Sequence, residues 1–153
     1  MKPFTHAAVS PPGQGTPAMA FGTHIVRVMA ANTGGALGLF EAIVPPAAGP
    51  PLHVHAREDE FFRVLSGRFG FWCADDYVEL AEGGCIVLPR GVPHRFRNVG
   101  QKEGQLMVVV TPGGFESFFA IVDLCKPQTP AEIASIAGEF GLTFLPEDER
   151  KRA

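Results

Sequence analysis

Short apolar runs, separated by glycine, proline or acidic residues, recur through the middle of the chain. Between residues 52 and 111 these runs are LHVH, EFFRVL, RFGFW, YVEL, CIVL, HRFRN and QLMVVVT. Runs of this length, bounded by turn residues, are typical of the strands of an all-β sandwich or barrel. Two earlier apolar runs, at residues 24–30 and 36–44, predict two further strands on either side of a turn at residues 32–35.

The apolar pattern becomes helical after residue 112. A first helix is predicted by four apolar residues spaced three and four apart, which places them on one helical face. These residues are Phe115, Phe118, Phe119 and Val122. A second helix is predicted to begin at Thr129, because Thr129 and Glu132 have the spacing of a capping box and Pro130 occupies the first helical position. Gly141 supplies the stop of this second helix.

The length of the chain, 153 residues, is typical of one domain. Its 18 glycines and 14 prolines suit many short strands and turns better than a helical bundle. We therefore expect an irregular N-terminal segment at residues 1–22 and a β-barrel at residues 23–112. A helical extension at residues 113–153 is expected to pack on that barrel.

Charge and apolar content exclude several classes of function. The formal net charge is −3 and there is no basic stripe, which excludes a typical nucleic-acid-binding protein. The longest aliphatic run, residues 106–110, is far shorter than the ~20 residues of a membrane span, and the N-terminus lacks the apolar stretch of a signal peptide. Three widely spaced cysteines indicate neither a disulfide framework nor a thiolate zinc site. We expect a soluble, cytoplasmic protein.

Candidate chemistry is concentrated in the segment LHVHAREDE. Side chains alternate across a strand, so His53 and His55 point to the same face. Glu60 would face the opposite way in an unbroken strand, so the polar residues 56–59 are expected to turn the chain and return Glu60 to the same centre. The inward face of the strand that follows is predicted to carry Glu60, Phe62 and Val64.

A fourth candidate ligand is His94, which follows a tight turn predicted at Pro89 and Gly91. The predicted metal ligands are thus His53, His55, Glu60 and His94. Three neutral imidazoles and one carboxylate suit one divalent ion of Fe, Mn, Co, Ni, Cu or Zn, and affinity alone does not choose among them. Four protein ligands on a six-coordinate ion leave positions for substrate, water or dioxygen. The lack of cysteine ligands argues against a closed structural zinc site.

These two segments resemble the two motifs of the cupin superfamily. The first motif, H-x-H-x4-E-x6-G, is present as His53, His55, Glu60 and Gly67. The second, G-x5-P-x-G-x2-H-x3-N, is present as Gly83, Pro89, Gly91, His94 and Asn98. One position departs from the pattern, because the glycine expected six residues before His53 is Ala47, with Gly49 nearby. That position shapes a turn and ligates nothing.

The resemblance implies a mainly β fold, an antiparallel cupin β-barrel (a double-stranded β-helix or jelly roll) of two packed sheets with the metal inside one end. It also implies frequent dimerisation through the outer face, so a homodimer is expected. The segment REDEFFRVLSG, the phenylalanine-rich helix and the tail after it look most similar to the single-domain quercetin 2,3-dioxygenase-like cupins.

The narrower resemblance implies a metal-dependent dioxygenase that acts on a flavonol-like or other enol or aromatic small molecule. Glu60 would be both a metal ligand and the catalytic general base, a role that suits a carboxylate whose pKa is raised by burial, although the cation opposes that rise. An apolar cavity would exclude water from the reaction. The candidate residues of the substrate pocket are Phe62, Phe71, Phe96 and Phe115.

Two other functions stay open on the sequence alone. The first is a metal-dependent isomerase, epimerase or lyase of a small carbonyl compound, in which the ion acts as a Lewis acid. A phosphorylated substrate would need inward arginines or lysines, which the inferred inward faces lack. The second is a non-catalytic cupin that binds a small molecule, because a fold does not decide function.

Overall fold

A computed structural model describes residues 3–147 as two antiparallel sheets followed by a short helical segment. Within these residues the strands, in chain order, are β1 (Thr16–Ala18), β2 (Thr23–Val28), β3 (Gly38–Val44), β4 (His53–His55), β5 (Asp59–Ser66), β6 (Arg68–Cys73), β7 (Asp76–Ala81), β8 (Cys85–Leu88), β9 (His94–Asn98), β10 (Gly104–Thr111) and β11 (Leu142–Phe144). The helices are α1 (Phe118–Cys125) and α2 (Pro130–Glu139), and 3₁₀ turns cover Ala30–Thr33 and Phe115–Ser117. Neither α1 nor α2 is long and apolar enough to cross a membrane.

The strands form a six-stranded sheet in the order β1-β2-β3-β10-β5-β8 and a five-stranded sheet in the order β11-β4-β9-β6-β7. Neighbouring strands pair antiparallel in both sheets. Consecutive strands β4 and β5 belong to different sheets, so the chain crosses from one sheet to the other between residues 55 and 59. The predicted fold class, a mainly β protein of two packed sheets with C-terminal helices, is confirmed.

Alternating burial along the long strands shows which face of each sheet is interior. On β5, Glu60, Phe62 and Val64 are buried while Arg63 is exposed, as the sequence predicts. Strands β3 and β10 show the same period of two. Because a slip of one residue would turn every side chain of a strand to the other face, this pattern fixes the register of the ladder.

Phenylalanine side chains fill much of the space between the sheets. The ring centroid of Phe62 on β5 lies 5.5 Å from those of Phe71 on β6 and Phe96 on β9. Phe69, which is fully buried, lies 6.2 Å from Phe96. These four residues, which we call the phenylalanine cluster, join the two sheets, and aromatic pairs at these distances stabilise a core beyond the area they bury.

The C-terminal segment is helical, as predicted, with two differences. Phe115 lies in a 3₁₀ turn, so helix α1 is shorter than the spacing of apolar residues suggests. The capping box of α2 is confirmed, because the backbone N–H of Glu132 donates to the Thr129 hydroxyl at 3.2 Å. Residues 142–144 form a strand that the sequence does not predict, and this strand pairs with β4. Residues 148–153 of the predicted extension lie outside the described residues.

The N-terminal segment predicted to be irregular, residues 1–22, contains strand β1, which pairs with β2. Most of the remainder follows the surface without regular structure, and residues 1–2 lie outside the described residues. The Arg27 guanidinium on β2 attaches this segment to the sheet by donating to the carbonyl oxygens of Ser10 and Pro11 at 3.1 and 2.8 Å. The segment is therefore irregular over most of its length but is attached to the sheet.

Candidate metal centre

Four side chains from three strands meet between the two sheets. His53 and His55 extend from β4, Glu60 from β5 and His94 from β9. One potential ligand atom from each residue lies within 4.8 Å of the others, and all four residues are buried. The most exposed of them, His53, keeps only 6% of its surface accessible. The four residues predicted to be metal ligands are therefore brought together at one centre.

The strand topology explains how Glu60 reaches this centre. His53 lies opposite His94 in the pairing of β4 with β9, which places both imidazoles in one row of the five-stranded sheet. The chain then crosses to the six-stranded sheet, so Glu60 faces back across the interior. Residues 56–58 make this crossing, where the sequence predicts a turn.

The turn before His94 is attached directly to the strand that carries the other two histidines. The backbone N–H of Gly91 donates to the carbonyl oxygen of His55 at 2.8 Å. Gly91 has a φ of +75°, in the left-handed region that favours glycine. The glycine thus permits the tight bend that directs His94 toward β4.

Backbone carbonyls orient two of the three imidazoles. Nδ1 of His53 donates to the carbonyl oxygen of Pro51 at 2.8 Å, and Nδ1 of His94 donates to that of Val92 at 2.9 Å. In both cases the acceptor is two residues earlier in the chain. These bonds leave Nε2 of each ring available as a metal ligand, and such outer contacts fix both the tautomer and the direction of a ligand imidazole.

The Glu60 carboxylate lies among the imidazoles. Nε2 of His94 lies 2.9 Å from its Oε2 and Nε2 of His55 lies 3.4 Å from the same oxygen. Burial alone would raise the pKa of Glu60, but its close contact with Nε2 of His94 and the other nearby imidazoles together hold that pKa below its usual value. The expectation of a raised pKa for this residue is therefore wrong, because burial is outweighed by its neighbours.

Burial has the opposite consequence for His53. Desolvation, reinforced by the neighbouring His94, lowers the pKa of His53 to about 4. A neutral imidazole is the form that binds a metal ion. Three imidazoles and one ionised carboxylate therefore fit a divalent transition metal, and thiolates take no part in the cluster.

The predicted pocket phenylalanines separate into two groups. Phe62, Phe71 and Phe96 pack on one another within the phenylalanine cluster. Phe115 instead contacts the metal centre, with its ring edge-on to that of His55 and the centroids 4.4 Å apart. The role of all four as walls of a substrate pocket stays a prediction.

The sequence analysis missed Glu58, which is 4% exposed and lies beside His55. The distance from its Oε2 to Nδ1 of His55 is 3.4 Å. One signal could have found this residue, since Glu58 and Glu60 are two apart and would share a face of an extended chain. The predicted turn at residues 56–59 hid that relationship.

The position where the motif departs from the cupin pattern has an unusual backbone. Ala47 adopts a φ of +61°, in the region where glycine is strongly preferred. Its N–H donates to the carbonyl of Asn98 at 3.0 Å, so the turn joins the end of β9. Asn98 is fully buried and its side-chain amide donates to the carbonyls of Val44 and Lys102 at 2.9 and 2.8 Å. Both motif positions thus have structural roles.

Comparison with known proteins agrees with this architecture. Residues 40–110 match a family model described as a cupin domain. Over 51 residues the chain is 43% identical to oxidoreductase iacF of Pestalotiopsis fici. The matched residues make up 31% of this chain and 24% of that protein. Over 90 residues it is 30% identical to polyketide synthase CurC of Streptomyces cyaneus, covering 59% of this chain and 57% of that protein. The chain thus spans less than two thirds of the length of either relative.

A solved structure shows the same fold. An RmlC-like cupin from Shewanella frigidimarina superposes with a TM-score of 0.60 and 18% identity, over 71% of this chain and 93% of that one. At this identity the likeness concerns the fold. Residues 40–110 thus match the cupin domain model, and the two antiparallel sheets and this neighbour show the cupin fold.

Proposed function

We propose that this protein is a metal-dependent dioxygenase that acts on a flavonol-like or other enol or aromatic small molecule. The observation that carries this proposal is the convergence of three imidazoles and one carboxylate within 4.8 Å, buried and in contact with an aromatic ring. The name of the Pestalotiopsis relative, an oxidoreductase, is in line with this chemistry.

His53, His55, Glu60 and His94 would hold one divalent ion of Fe, Mn, Co, Ni, Cu or Zn. When bound, such an ion supplies Lewis acidity and open coordination positions for substrate and dioxygen. The protein contributes the geometry of the site. The ligands extend from three strands of the two sheets, and backbone carbonyls orient two of the imidazoles. Little rearrangement of the protein is therefore needed for the ion to bind.

Glu60 would take the proton from the substrate hydroxyl group. Its lowered pKa keeps the carboxylate ionised near neutral pH, which is the form a general base requires. Its Oε2 lies 2.9 Å from Nε2 of His94, so the carboxylate is directed toward the centre of the cluster.

Apolar surroundings would protect the reaction from water. The four candidate ligands are buried, and Phe115 covers the His55 ring. A dry site strengthens the electrostatic interactions inside it and limits hydrolysis of reactive species. These features favour an apolar aromatic substrate.

A phosphorylated substrate is disfavoured by where the buried positive charge lies. Among residues 3–147, Arg95 is the one buried arginine or lysine. It follows His94 on β9 and so lies on the opposite face of that strand. Its guanidinium is 4.4 Å from the centroid of Trp72 and 3.0 Å from the Glu147 carboxylate. This cation is therefore engaged away from the metal centre.

Oxygen uptake tests the proposal. Metal-free protein would be reconstituted separately with each of the six ions and mixed with quercetin and with simple enols and catechols in an oxygen electrode. We expect uptake that requires both metal and substrate. His94→Ala should abolish uptake and metal retention together, Glu60→Gln should abolish uptake while keeping most of the metal, and His6→Ala, at an exposed histidine, should change neither.

Two results would overturn the proposal. One is the lack of uptake with every ion and substrate despite confirmed metal loading, which would favour an isomerase, lyase or binding function. The other is full activity in Glu60→Gln, which would remove this residue as the base.

We also propose that the protein is a homodimer formed through the outer face of the six-stranded sheet. An apolar row crosses four of its strands, because Val109 pairs with Leu39 and Phe61, and Phe61 pairs with Val87. Val87 is 61% exposed. Sedimentation should give a dimer at micromolar concentration, and Val87→Glu should shift it to monomer. A monomeric native protein would contradict this assignment.

A cytoplasmic location is proposed on the state of the thiols. Cys73, Cys85 and Cys125 are all free, and the latter two are exposed. Free surface thiols persist in a reducing compartment.

A further inference from the structure

Glu58 lies beside the metal centre without being one of its four candidate ligands. It precedes β5, and its side chain is directed into the protein, where only 4% of the residue is exposed. Its Oε2 is buried and makes no well-aligned hydrogen bond. A buried carboxylate oxygen without a hydrogen bond is unfavourable, so a group to which Oε2 can bond is expected nearby.

Nδ1 of His55 is such a group and lies 3.4 Å from Oε2 of Glu58. This nitrogen is also buried and has no hydrogen-bond partner of its own. Two unsatisfied atoms of complementary type therefore face each other at the margin of hydrogen-bonding distance. A small rotation of either side chain would join them.

His55 differs from the other two imidazoles in this respect. His53 and His94 each donate from Nδ1 to a backbone carbonyl two residues earlier. His55 has no such bond. For His55, the group beside Nδ1 is therefore a carboxylate instead of a backbone carbonyl. A carboxylate that accepts from Nδ1 makes a ligand imidazole more basic than a carbonyl does.

The charges around His55 lead to the same conclusion. Glu58 lies 3.4 Å from one ring nitrogen and Glu60 lies 3.4 Å from the other. A cation beside two neighbouring buried carboxyl groups stabilises their negative charge. A divalent ion bound to Nε2 of His55 would supply the positive charge that Glu58 and Glu60 both require.

We propose that Glu58 is a positioning residue for the metal. With an ion held by the four ligands, its carboxylate accepts the Nδ1–H hydrogen bond of His55, which fixes Nε2 toward the ion and raises metal affinity. This inference rests on the metal-binding part of the proposed function and does not depend on the reaction or its substrate.

Cobalt titration of the protein tests this role. The dissociation constant for Co²⁺ would be measured by competition with a chelator, and the visible absorption of the Co²⁺ complex would report the geometry of the ligands. Glu58→Leu removes the hydrogen bond and the charge. Glu58→Gln keeps an oxygen acceptor but removes the charge. Glu79→Gln, in an exposed ion pair with Arg68, is the matched control.

We expect Glu58→Leu to bind Co²⁺ about 10–100-fold more weakly than the native protein. Glu58→Gln should lose less, because its amide oxygen still accepts from Nδ1, and both variants should change the cobalt spectrum. Glu79→Gln should match the native protein in affinity and spectrum. A merely structural role for Glu58 would lower the stability of the metal-free protein without changing the cobalt spectrum.

The inference would be overturned by Glu58 variants whose Co²⁺ affinity stays within threefold of the native value with an unchanged spectrum. If Glu58→Leu does not fold, the same criterion applied to Glu58→Gln decides. Failure of the native protein itself to bind Co²⁺, Zn²⁺ or the other ions is a distinct result, because it would remove the metal site and not only this residue.

Discussion

The interior between the two sheets has two neighbouring parts with opposite chemistry. One is the metal centre and the other is the phenylalanine cluster. They share strands, because Glu60 and Phe62 are successive inward residues of β5, and His94 and Phe96 are successive inward residues of β9. A single step along the inward face of a strand therefore separates a candidate ligand from the apolar core.

This contrast indicates that the phenylalanine cluster supplies stability, whereas the metal centre supplies the chemistry. Burying four ionisable side chains is unfavourable unless they bond to each other or to a metal. Burying phenylalanine rings is strongly favourable, at about 1.5–3 kcal/mol per side chain. The phenylalanine cluster therefore stabilises the strands that hold the metal centre, and the two parts should respond differently to mutation.

The largest effect is expected from breaking the phenylalanine cluster. Phe71 is 1% exposed, and Phe71→Ala should lower the free energy of unfolding by about 3–5 kcal/mol, because the ring is lost and a cavity remains. Urea unfolding measures this change. Phe4→Ala, at a ring that is 49% exposed, should stay within about 0.5 kcal/mol of the native protein. Equal effects of the two substitutions would contradict the contrast.

Metal binding should stabilise the folded protein through the metal centre. An ion that binds only the folded protein raises the free energy of unfolding by about 4 kcal/mol when its free concentration is a thousand times Kd. Thermal unfolding with and without each ion measures this gain. In His94→Ala the gain should vanish while the stability of the metal-free protein changes little by comparison. A gain that survives the substitution would place the ion elsewhere.

A histidine outside the metal centre, His24, sharpens the comparison because it lies among phenylalanines. His24 stacks on Phe119 with the centroids 3.6 Å apart, and burial lowers its pKa from 6.5 to about 4. The unfolded chain therefore binds a proton between pH 6.5 and 4 that the folded protein does not. This contribution to stability is fully present above pH 6.5 and is lost as the pH falls toward 4, by up to about 3 kcal/mol.

Urea unfolding at pH 7, 5 and 4 tests this pH dependence. His24→Leu should lose less stability on acidification than the native protein, whereas His6→Leu, at an exposed site, should lose as much as the native protein does. Parallel pH profiles for the native protein and His24→Leu would refute the assignment.

The smallest effect is expected at the turn that precedes the metal centre. Ala47 adopts a left-handed backbone that is unfavourable for a residue with a Cβ. Ala47→Gly should therefore raise the free energy of unfolding, by about 1 kcal/mol at most, since glycine also makes the unfolded chain more flexible. A urea midpoint shifted downwards would show that the turn does not strain alanine. Metal affinity should not change.

The parts of the molecule that depend on local pattern could be predicted from the sequence. The period of two on β5 placed Glu60 and Phe62 inward, and the capping box placed the start of α2 at Thr129. The convergence of the four ligand residues followed from their spacing and from the cupin resemblance, since each motif carries its own turn.

The parts that depend on distant contacts could not be predicted. Strand β11 has three residues, too few to show a period, and it exists because it pairs with β4. The pKa of Glu60 is set by imidazoles from two other strands, so local burial gave the wrong direction. Glu58 was not predicted as a site residue, because it falls within the predicted turn at residues 56–59 and not within a predicted strand.

The pairing of β11 with β4 determines when during translation this edge of the sheet can form. On the ribosome the strand that carries His53 and His55 emerges before its neighbour β11, which is the last strand among residues 3–147. Until residues 142–144 have been synthesised, one edge of the histidine strand has no partner. A nascent chain therefore exposes two imidazoles on a strand with one open edge until β11 has emerged.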